Sequence, residues 1–460
     1  MAVVDTARLS EVGSLRELSA EENERLTRVG PGSPMGEAFR RYWIPACLAE
    51  EVAEPDGAPV RVRLLGEDLV AFRDTNGVVG LVDAYCRHRR APLYFGRNEE
   101  CGIRCVYHGW KYDTTTGQCV DLPSEPSFSR MKERVRITAY PTFEAGGLIW
   151  TYMGPKEAAP PRPEYEWLQV PLTHFGISKT LQACNYLQAI EGGIDTAHVG
   201  FLHNENIKNK RQLATADNAP ELEVDITDYG FRYVGIRNIR EDEIYVRGYQ
   251  FLMPCQKTQG SFLKLFGEIP AEGDLNVVLA DSIPTVYGHL WVPMDDENTA
   301  TYNFRYSVDP AIPMPQEHWI RTETNSGRGP DAVIPGTYRL KQNLDNDYFI
   351  DRQRQKTQSY TGIPGVNTQD VAIQEGMGPI VDRSKEFLGT TDRAIVAARR
   401  LLLEAADEVE RGAQPRGVDP DESRHVSAAD VVYPRGTDWR REMRAMDAIT
   451  PTWTSGPGFD

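Results

Sequence analysis

The 460-residue sequence predicts an α+β protein in which a small all-β domain is followed by a larger domain of strands and helices. Three observations lead to this prediction. Short runs of alternating apolar and polar residues fill 59–152, a proline-rich segment occupies 153–167, and strand-like runs mixed with two helical stretches follow. Alternation with a period of two is typical of half-buried strands, whereas apolar residues at helical spacing indicate amphipathic helices.

The N-terminal segment, 1–45, is predicted to be helical and to pack on the larger domain. Within it, 17–45 starts with good helix formers, and Ser19 and Glu22 have the spacing of a capping box. The segment lacks a basic start followed by an apolar run, so we do not expect it to be a secretory signal.

The small all-β domain is assigned to 46–155. Its alternating runs, such as VRVRLL and LVAFRD, are separated by turn signals at Asn76-Gly77 and Thr116-Gly117. The proline-rich sequence MGPKEAAPPRPEYEW at its end is typical of a linker between domains. The boundary between the two domains is therefore placed at this linker.

The larger domain is assigned to 156–460. Its strand-like runs lie near 221–236, 244–254, 275–281 and 299–307. Helices are predicted near 185–199 and at 392–412, and the second has good helix formers with apolar residues at helical spacing. The tail after 413 is rich in Pro, Arg and Asp and is predicted to be irregular chain that wraps the surface.

Composition and charge exclude several classes of function. A formal net charge of −16 argues against nucleic-acid binding, which needs clustered Lys and Arg. This charge simply favours solubility, with a docking surface for a positively charged redox partner as the alternative. No stretch approaches the roughly 18 to 20 unbroken apolar residues of a membrane span, so we expect a cytoplasmic protein without membrane contact. Seven cysteines in such a chain indicate metal ligands or buried thiols rather than a disulfide scaffold.

Two short loops of the small domain each carry one cysteine and one histidine. Cys86 and His88 lie in the first loop, and Cys105 and His108 lie in the second. A Rieske [2Fe–2S] cluster needs two thiolates on one iron and two imidazoles on the other, and this alternation supplies them. A structural zinc site is the alternative, but such sites usually pair Cys with Cys and His with His.

A second group of histidines follows the linker, in the pattern D-x-x-H-x-x-x-x-H formed by Asp195, His198 and His203. Asp195 and His198 are three residues apart and would share one face of a helix. His203 would lie about 140° round an ideal helix from His198, so one metal could bind both only if the helix ended between them. Gly200 offers a place for that. Ordinary core or surface histidines are the alternative.

These motifs, in this order, resemble the large subunits of Rieske non-haem iron aromatic-ring-hydroxylating oxygenases. The likeness is to the phthalate-dioxygenase-like branch, which includes aryl O-demethylases, and it rests on C-x-H, C-x-x-H-G-W, D-x-x-H-x-x-x-x-H and the block 362–388. Many relatives have proline where this chain has Arg87, which is not a ligand position. The resemblance implies a Rieske domain beside a catalytic domain in which an antiparallel sheet grips a helix.

The resemblance also implies roles for single residues. Two histidines need a carboxylate to complete the facial triad of a mononuclear Fe(II). Asp370 matches the family's third ligand, with Asp347, Asp351 and Glu375 as weaker rivals. Asp195 matches an acid that hydrogen-bonds an iron-ligand histidine and a Rieske histidine of the neighbouring subunit, which makes a short electron path. A helix cap or a salt bridge is the simpler role for this acid.

By the same resemblance, the chain is a terminal oxygenase that receives electrons from a separate NADH-dependent flavin and iron–sulfur reductase. It would use O₂ to oxidise an aromatic carboxylate or a methoxy-aromatic acid. Ring dihydroxylation is the first expectation, and O-demethylation of a lignin-type methoxy aromatic is the alternative. A homotrimer, or a multiple of trimers, is also implied. The non-enzyme alternative is a Rieske electron-transfer protein or a zinc-binding protein.

A carboxylate substrate should be met by a cationic side chain. Arg247, on a predicted strand, is the first candidate, with a surface ion pair as its competing role. Lys208 and Arg211 follow the histidine motif and are further candidates. Asn185 and Glu191 precede the motif and are expected to line or support the site, although both could be purely structural.

Overall fold

The computed structural model describes residues 15–205, 213, 217–260, 263–265 and 283–441. Within them the chain forms β-sheets and helices, as the α+β prediction requires. The predicted strand at 275–281 and the candidates Lys208 and Arg211 lie outside the described residues.

Two short helices, α1 (Ala20–Thr27) and α2 (Pro34–Phe39), open the described chain. The predicted capping box is present at Ser19, whose hydroxyl accepts from the backbone of the residue three positions later. The prediction of helix over all of 17–45 is wrong, because Gly32 adopts a φ of +81° in the intervening turn and the chain then enters a strand. Both helices contact the long C-terminal helix and share its hydrophobic core.

The all-β part consists of strands that form three small sheets. Their bounds are β1 (Trp43–Leu48), β2 (Val60–Leu64), β3 (Glu67–Arg73), β4 (Val79–Asp83), β5 (Arg97–Asn98), β6 (Gly102–Arg104), β7 (Lys111–Asp113), β8 (Cys119–Asp121), β9 (Ala139–Tyr140), β10 (Thr142–Ala145) and β11 (Leu148–Tyr152). The sheet orders are β1-β11-β10, β2-β3-β4-β9 and β5-β6-β7-β8. Because β1 pairs with β11, the proposed boundary at 45/46 falls inside a strand of this part.

The larger part is built on one sheet whose order is β12-β19-β18-β16-β15-β14-β13, with antiparallel neighbours throughout. Its strands are β12 (Phe175–Gln182), β13 (Glu221–Thr227), β14 (Gly230–Asn238), β15 (Glu243–Leu252), β16 (Gln256–Gly260), β17 (Leu263–Leu265), β18 (Thr285–Pro293), β19 (Thr299–Ser307) and β20 (Asp430–Pro434). The predicted strands near 221–236, 244–254 and 299–307 are therefore confirmed, and the first is split into two by a turn.

The prediction of an irregular tail after 413 is wrong at β20. This strand pairs antiparallel with β15 and parallel with β17. Val431 and Tyr433 are buried in a hydrophobic cluster with Val234 and Val246 of the sheet. The apolar alternation of DVVYP therefore supplies the burial that holds this late segment in the sheet.

Helices pack against the sheet. They are α3 (Tyr186–Ile194), α4 (Gln316–Ser326), α5 (Arg352–Thr357), α6 (Val366–Gly376), α7 (Arg393–Glu410) and α8 (Pro420–Ser423). Helix α7 confirms the helix predicted at 392–412, and its buried alanines and leucines contact β13 and β14. Helix α3 contacts β18 and α6, which places α3 and α6 over the middle of the sheet. No described helix is both long and apolar enough to cross a membrane.

Candidate metal centres and substrate cavity

The two Cys–His loops fold as the same turn. In the first, the backbone N–H of Arg90 donates to the carbonyl of Cys86 over 2.9 Å. In the second, Gly109 donates to Cys105 over 2.9 Å. Arg90 and Gly109, which close the two turns, both have a positive φ, of 57° and 77°. Each loop therefore presents its cysteine at the start of a tight turn, with its histidine two or three residues later.

The four side chains of these loops meet, with the cysteines deeper than the histidines. Cys86 and Cys105 are buried, whereas His88 and His108 are half-buried. The two imidazole rings touch edge to face, with centroids 4.5 Å apart. Trp110 stacks on His88 at the same centroid distance. The structure therefore brings together the four residues that the sequence proposed as cluster ligands.

The chemistry of this group suits a [2Fe–2S] cluster. The Nδ1 atom of His88 is buried and has no hydrogen-bond partner among the described residues. An unsatisfied buried polar atom costs about 1–3 kcal/mol, a penalty that a bond to iron would remove. Burial raises the pKa of the Cys86 thiol, so a thiolate here needs the positive charge of a metal. Two inner sulfurs and two outer imidazoles match the donor set of a Rieske centre.

The histidine motif begins where helix α3 ends. Asp195 is the C-terminal cap of α3 and has an extended conformation. The prediction of helix over 185–199 is therefore wrong beyond Ile194, and Asp195 and His198 do not share a helix face. Asp195 Oδ1 accepts from the backbone N–H of Ala197 over 2.7 Å, a local turn that competes with helix continuation. The helix thus ends before His198 rather than at Gly200.

The structure places three candidate iron ligands around one point. The Nε2 atoms of His198 and His203 are 3.1 Å apart. Asp370, on helix α6, brings Oδ1 to 3.5 Å from the first and 3.2 Å from the second. All three atoms lie within 4.8 Å of one another, which is the spacing of ligands to a single ion. The two histidines and the carboxylate form the donor set of a facial triad.

Hydrogen bonds fix which ring nitrogen of each histidine is free. Asp195 Oδ2 lies 3.1 Å from Nδ1 of His198, and Oε1 of Gln369 lies 2.8 Å from Nδ1 of His203. Gln369 donates through its other amide atom to Glu205 Oε1 over 2.5 Å, so its oxygen must face His203. Both Nδ1 atoms therefore donate, and both Nε2 atoms carry lone pairs.

Two lone pairs and a carboxylate oxygen converging on one point repel each other unless a cation lies between them. Burial acts to raise the pKa of Asp370, but attraction to a positively charged His203 holds it below its ordinary value, and Asp370 in turn raises the pKa of His203. A positive charge between these atoms is therefore favoured, from a proton on His203 Nε2 or from a metal ion. The arrangement of His198, His203 and Asp370 therefore fits a divalent metal, with Asp195 and Gln369 orienting the imidazoles.

The rival acids lie elsewhere. Asp347 is exposed, and Asp351 caps helix α5 by accepting from two backbone N–H groups. Glu375 is buried but accepts from the backbone of Ala183 and from the hydroxyl of Tyr348. Of the four acids considered from the sequence, the structure brings Asp370 to the histidines.

A cavity of about 310 Å³ opens beside the triad, between the sheet and helices α3 and α6. Alternate residues of five neighbouring strands line it, because successive side chains of a strand point to opposite faces. On β15, β16 and β18 they include Arg247, Tyr249, Lys257, Gln259, Tyr287 and His289. The metal ligands thus lie on the helical side of the cavity and a polar, aromatic wall lies on the sheet side.

Arg247 lines this cavity, as the sequence proposed. Its Nη2 donates to the hydroxyl of Tyr287 over 3.2 Å, and its Nε lies 3.5 Å from Asp430 Oδ2. Tyr245 also donates to Asp430, over 2.6 Å. Burial raises the pKa of Asp430 to about 6 although Arg247 favours its charged form, so Asp430 is ionised at neutral pH.

Sequence reasoning missed Lys257, His289 and Arg328, which also line the cavity. The alternation in QKTQG puts Lys257 and Gln259 on one face of their strand, and that in YGHLW does the same for His289 and its neighbour two residues before. The alternation does not show which strands are neighbours in the sheet. Arg328 pairs with Glu323 over 2.5 Å. His289 Nδ1 lies 2.8 Å from Oδ1 of Asn303, and burial lowers the pKa of His289 well below its ordinary value.

Asn185 does not belong to the cavity wall, which corrects its assignment as a substrate residue. It is the N-cap of α3 and accepts from the backbone of Leu187 over 3.1 Å. Its amide nitrogen donates to the carbonyls of Thr27 and Asp296 over 2.9 and 2.7 Å. All its hydrogen bonds are structural. Glu191 is likewise structural, because it forms a buried ion-pair cluster with two arginines at 383 and 399.

Comparisons with known proteins place this geometry in a family. Residues 42–141 match the family model described as Rieske [2Fe-2S] domain, and 151–452 match the one described as LigXa C-terminal domain like. The phthalate 4,5-dioxygenase oxygenase subunit of Pseudomonas putida is 39% identical over 92% of this chain and 94% of its own length. The 3-chlorobenzoate-3,4-dioxygenase oxygenase subunit of Comamonas testosteroni is 37% identical, over 91% and 96%.

More distant relatives extend the range of reactions. The 5,5'-dehydrodivanillate O-demethylase oxygenase subunit of a Sphingobium strain is 32% identical over 88% of this chain and 84% of its own. Among solved structures, dicamba monooxygenase bound to dicamba superposes with a TM-score of 0.55 at 18% identity, covering 81% of this chain and 98% of that chain. NdmA of Pseudomonas putida CBB5 gives 0.57 at 17% identity, covering 88% and 99%. These two structures share the fold.

Proposed function

Because this chain belongs to the Rieske non-haem iron oxygenases, as the terminal oxygenase component, we propose that it oxidises an aromatic carboxylate by ring dihydroxylation. Its relatives at 39% and 37% identity are named for phthalate and for 3-chlorobenzoate, both aromatic acids. The chain carries a Rieske domain and the mononuclear iron site of its family. We also propose that the chain is divided into an N-terminal segment (1–45), a Rieske domain (46–155) and a catalytic domain (156–460). The boundary between the first two belongs before β1, because β1 pairs with β11.

The observation that carries this proposal is a group of three basic side chains in the cavity, Arg247, Lys257 and Arg328. The acids Asp195, Glu205 and Asp370 also line it, and a divalent cation on the triad would offset part of their charge. Taking a charged group out of water is unfavourable unless an opposite charge meets it, so these basic side chains favour an anionic ligand. An aromatic acid can place its carboxylate among these cations while its ring lies toward the iron site.

The residues around the triad hold it in a reactive arrangement. Asp195 and Gln369 keep the two Nε2 atoms of the histidines unprotonated, so that both can bind iron. When bound, the cluster would pass on electrons from the reductase and the iron would activate O₂. Trp291 lines the cavity with an apolar ring, against which the aromatic ring of the substrate can pack.

We further propose that Cys86, His88, Cys105 and His108 hold the cluster. The iron would be held by the triad described above. In a homotrimer or a multiple of trimers, Asp195 would bridge its own iron ligand to a Rieske histidine of the neighbouring subunit. Asp195 lies close to the surface, with 23% of its side chain exposed, which is compatible with such a contact. An NADH-dependent flavin and iron–sulfur reductase would supply the electrons.

O-demethylation of a methoxy-aromatic acid is the second candidate. It is supported by the match of 151–452 to the LigXa-like family and by the O-demethylase subunit at 32% identity. The same cations would hold the carboxylate of such a substrate. The two reactions differ in which carbon lies nearest to the iron.

A single turnover tests the proposal. The chemically reduced holoenzyme would be mixed with labelled O₂ and with phthalate, 3-chlorobenzoate or 5,5'-dehydrodivanillate, and products identified by mass spectrometry. A ring diol that carries both labelled oxygen atoms is the expected result. A phenol with matching formaldehyde would establish O-demethylation instead. No product from any of these acids, with both metals present, would contradict a carboxylate substrate.

A further inference from the structure

Lys257 carries a buried amine in the cavity, without an acidic partner in the described part of the chain. The residue lies on β16 and is 5% exposed. Its Nζ donates to Oε1 of Gln259, a neutral amide on the same strand. A neutral amide satisfies one of the three N–H groups of an ammonium but none of its charge. The side chain therefore lacks the counter-ion that a buried lysine ordinarily has.

Three other basic residues of the cavity or its sheet have acidic partners. Arg247 lies 3.5 Å from Asp430, and Arg328 pairs with Glu323 over 2.5 Å. Lys179, on β12, pairs with Glu51 over 2.5 Å. The sequence favoured Arg247 as the contact for a carboxylate, but its charge is already matched within the protein.

The neighbouring strands β15 and β18 place charged and titratable side chains around Lys257. Arg247 of β15 repels it, and His289 lies opposite it in the register of β18. The rings of Tyr249 and Tyr287 have their centroids 5.1 and 5.8 Å from Nζ, which favours a cation weakly.

Two acids attract Lys257 from farther away, Asp430 of β20 and Asp370 of α6. Asp430 already accepts from Tyr245 and faces Arg247. Asp370 belongs to the triad, where a divalent cation would take up its charge. Neither acid is available as the counter-ion of a protonated Lys257, so a ligand would have to supply that charge.

We propose that Lys257 selects a carboxylate over a neutral group in this cavity, by forming an ion pair with the acid group of the substrate as a proton is taken up. This inference rests on the proposed function and specifies which residue makes the substrate acidic. It also assigns Arg247 a positioning part, since its guanidinium orients Tyr287, which in turn accepts from Gln259 beside Lys257.

The proton follows from the burial of the amine. Burial, with repulsion from Arg247, lowers the pKa of Lys257 well below its ordinary value. A bound carboxylate raises it again, because an opposite charge nearby favours the charged form. Between the two pKa values, binding of the acid transfers one proton from solvent to Nζ. The affinity for the acid therefore falls as pH rises through this window, by up to about tenfold per pH unit.

The test is calorimetric binding to the oxygen-free holoenzyme in two buffers that differ in ionisation enthalpy. The probes are phthalate, 3-chlorobenzoate and methyl 3-chlorobenzoate, which lacks the charge. For the wild type we expect proton uptake with both acids and none with the ester. For Lys257→Met we expect acids to bind about a hundredfold more weakly without uptake, with the ester unchanged. Lys179→Met, on the opposite face of the sheet, is the matched control and should behave as the wild type.

The outcomes separate the two proposals. Equal affinity and equal uptake in wild type and Lys257→Met, or acid binding to the wild type without uptake, would overturn the role of Lys257 alone. Failure of both acids to bind the wild type, with the ester bound, would overturn the carboxylate substrate and the role of Lys257 with it. Lys257→Gln, which keeps a polar group beside Gln259, repeats the test independently of how the methionine variant folds.

Discussion

Gln369 is predicted to control both iron affinity and local stability, and two substitutions separate the effects. The side chain makes three hydrogen bonds, one accepted from His203 at 2.8 Å and two donated, to Glu205 at 2.5 Å and to the carbonyl of Ile363 at 2.8 Å. Gln369→Leu removes all three, which at about 1 kcal/mol each lowers the free energy of unfolding by about 3 kcal/mol. Loss of the partner of a ligating histidine lowers metal affinity about 10- to 100-fold.

Gln369→Glu keeps the acceptor for His203 but loses both donors and faces the carboxylate of Glu205. We therefore expect Gln369→Glu to bind iron nearly as well as the wild type while remaining destabilised. The assay is competition for Fe(II) against a chelator of known affinity, with the visible absorption of the cluster as an internal control and urea unfolding in parallel. Wild-type iron affinity in Gln369→Leu, or no recovery in Gln369→Glu, would refute the role assigned to this residue.

Further predictions concern stability, electron transfer and the cluster. Burial raises the pKa of Glu166 to about 7, so the folded protein holds this proton more tightly than the unfolded chain. The free energy of unfolding should therefore be highest below about pH 4.5 and fall by up to about 3 kcal/mol as pH rises through 7. Glu166→Gln should abolish this pH dependence in urea unfolding. Asp195→Asn, assayed with saturating Fe(II), should lose most coupled turnover, and full activity would exclude the bridging role. Asn185→Ala should lower the free energy of unfolding by about 2 kcal/mol without changing turnover per iron, whereas a changed substrate affinity would restore it as a substrate residue. Cys86→Ser should lose the red-brown colour and acid-labile sulfide, while a zinc site would have shown neither.

The cluster loops and the triad were predictable because their chemistry is local or carried by resemblance. Cys86 and His88 are two residues apart, and one tight turn brings both to the same point. Asp370 lies far from His198 in sequence, and only its likeness to the family's third ligand singled it out. The structure brings the three ligand atoms together, which the spacing of these residues in the sequence could not have predicted.

The failures have the opposite cause, because they depend on contacts between distant segments or on competing local bonds. Helix α3 stops at Ile194 since the side chain of Asp195 bonds to the following backbone, which helix propensity does not weigh. The strand β20 forms since β15 offers it an edge. Lys257 became visible only when the strand order placed it in the wall of the cavity.

Metal analysis of the purified protein tests the central claim most directly, namely that one chain holds a cluster and a separate iron bound by His198, His203 and Asp370. The account predicts about three irons and two acid-labile sulfides per chain in the wild type. In Asp370→Ala it predicts about two irons with unchanged sulfide and unchanged visible absorption. Loss of cluster and iron together, or an iron content that Asp370→Ala leaves unchanged, would contradict it.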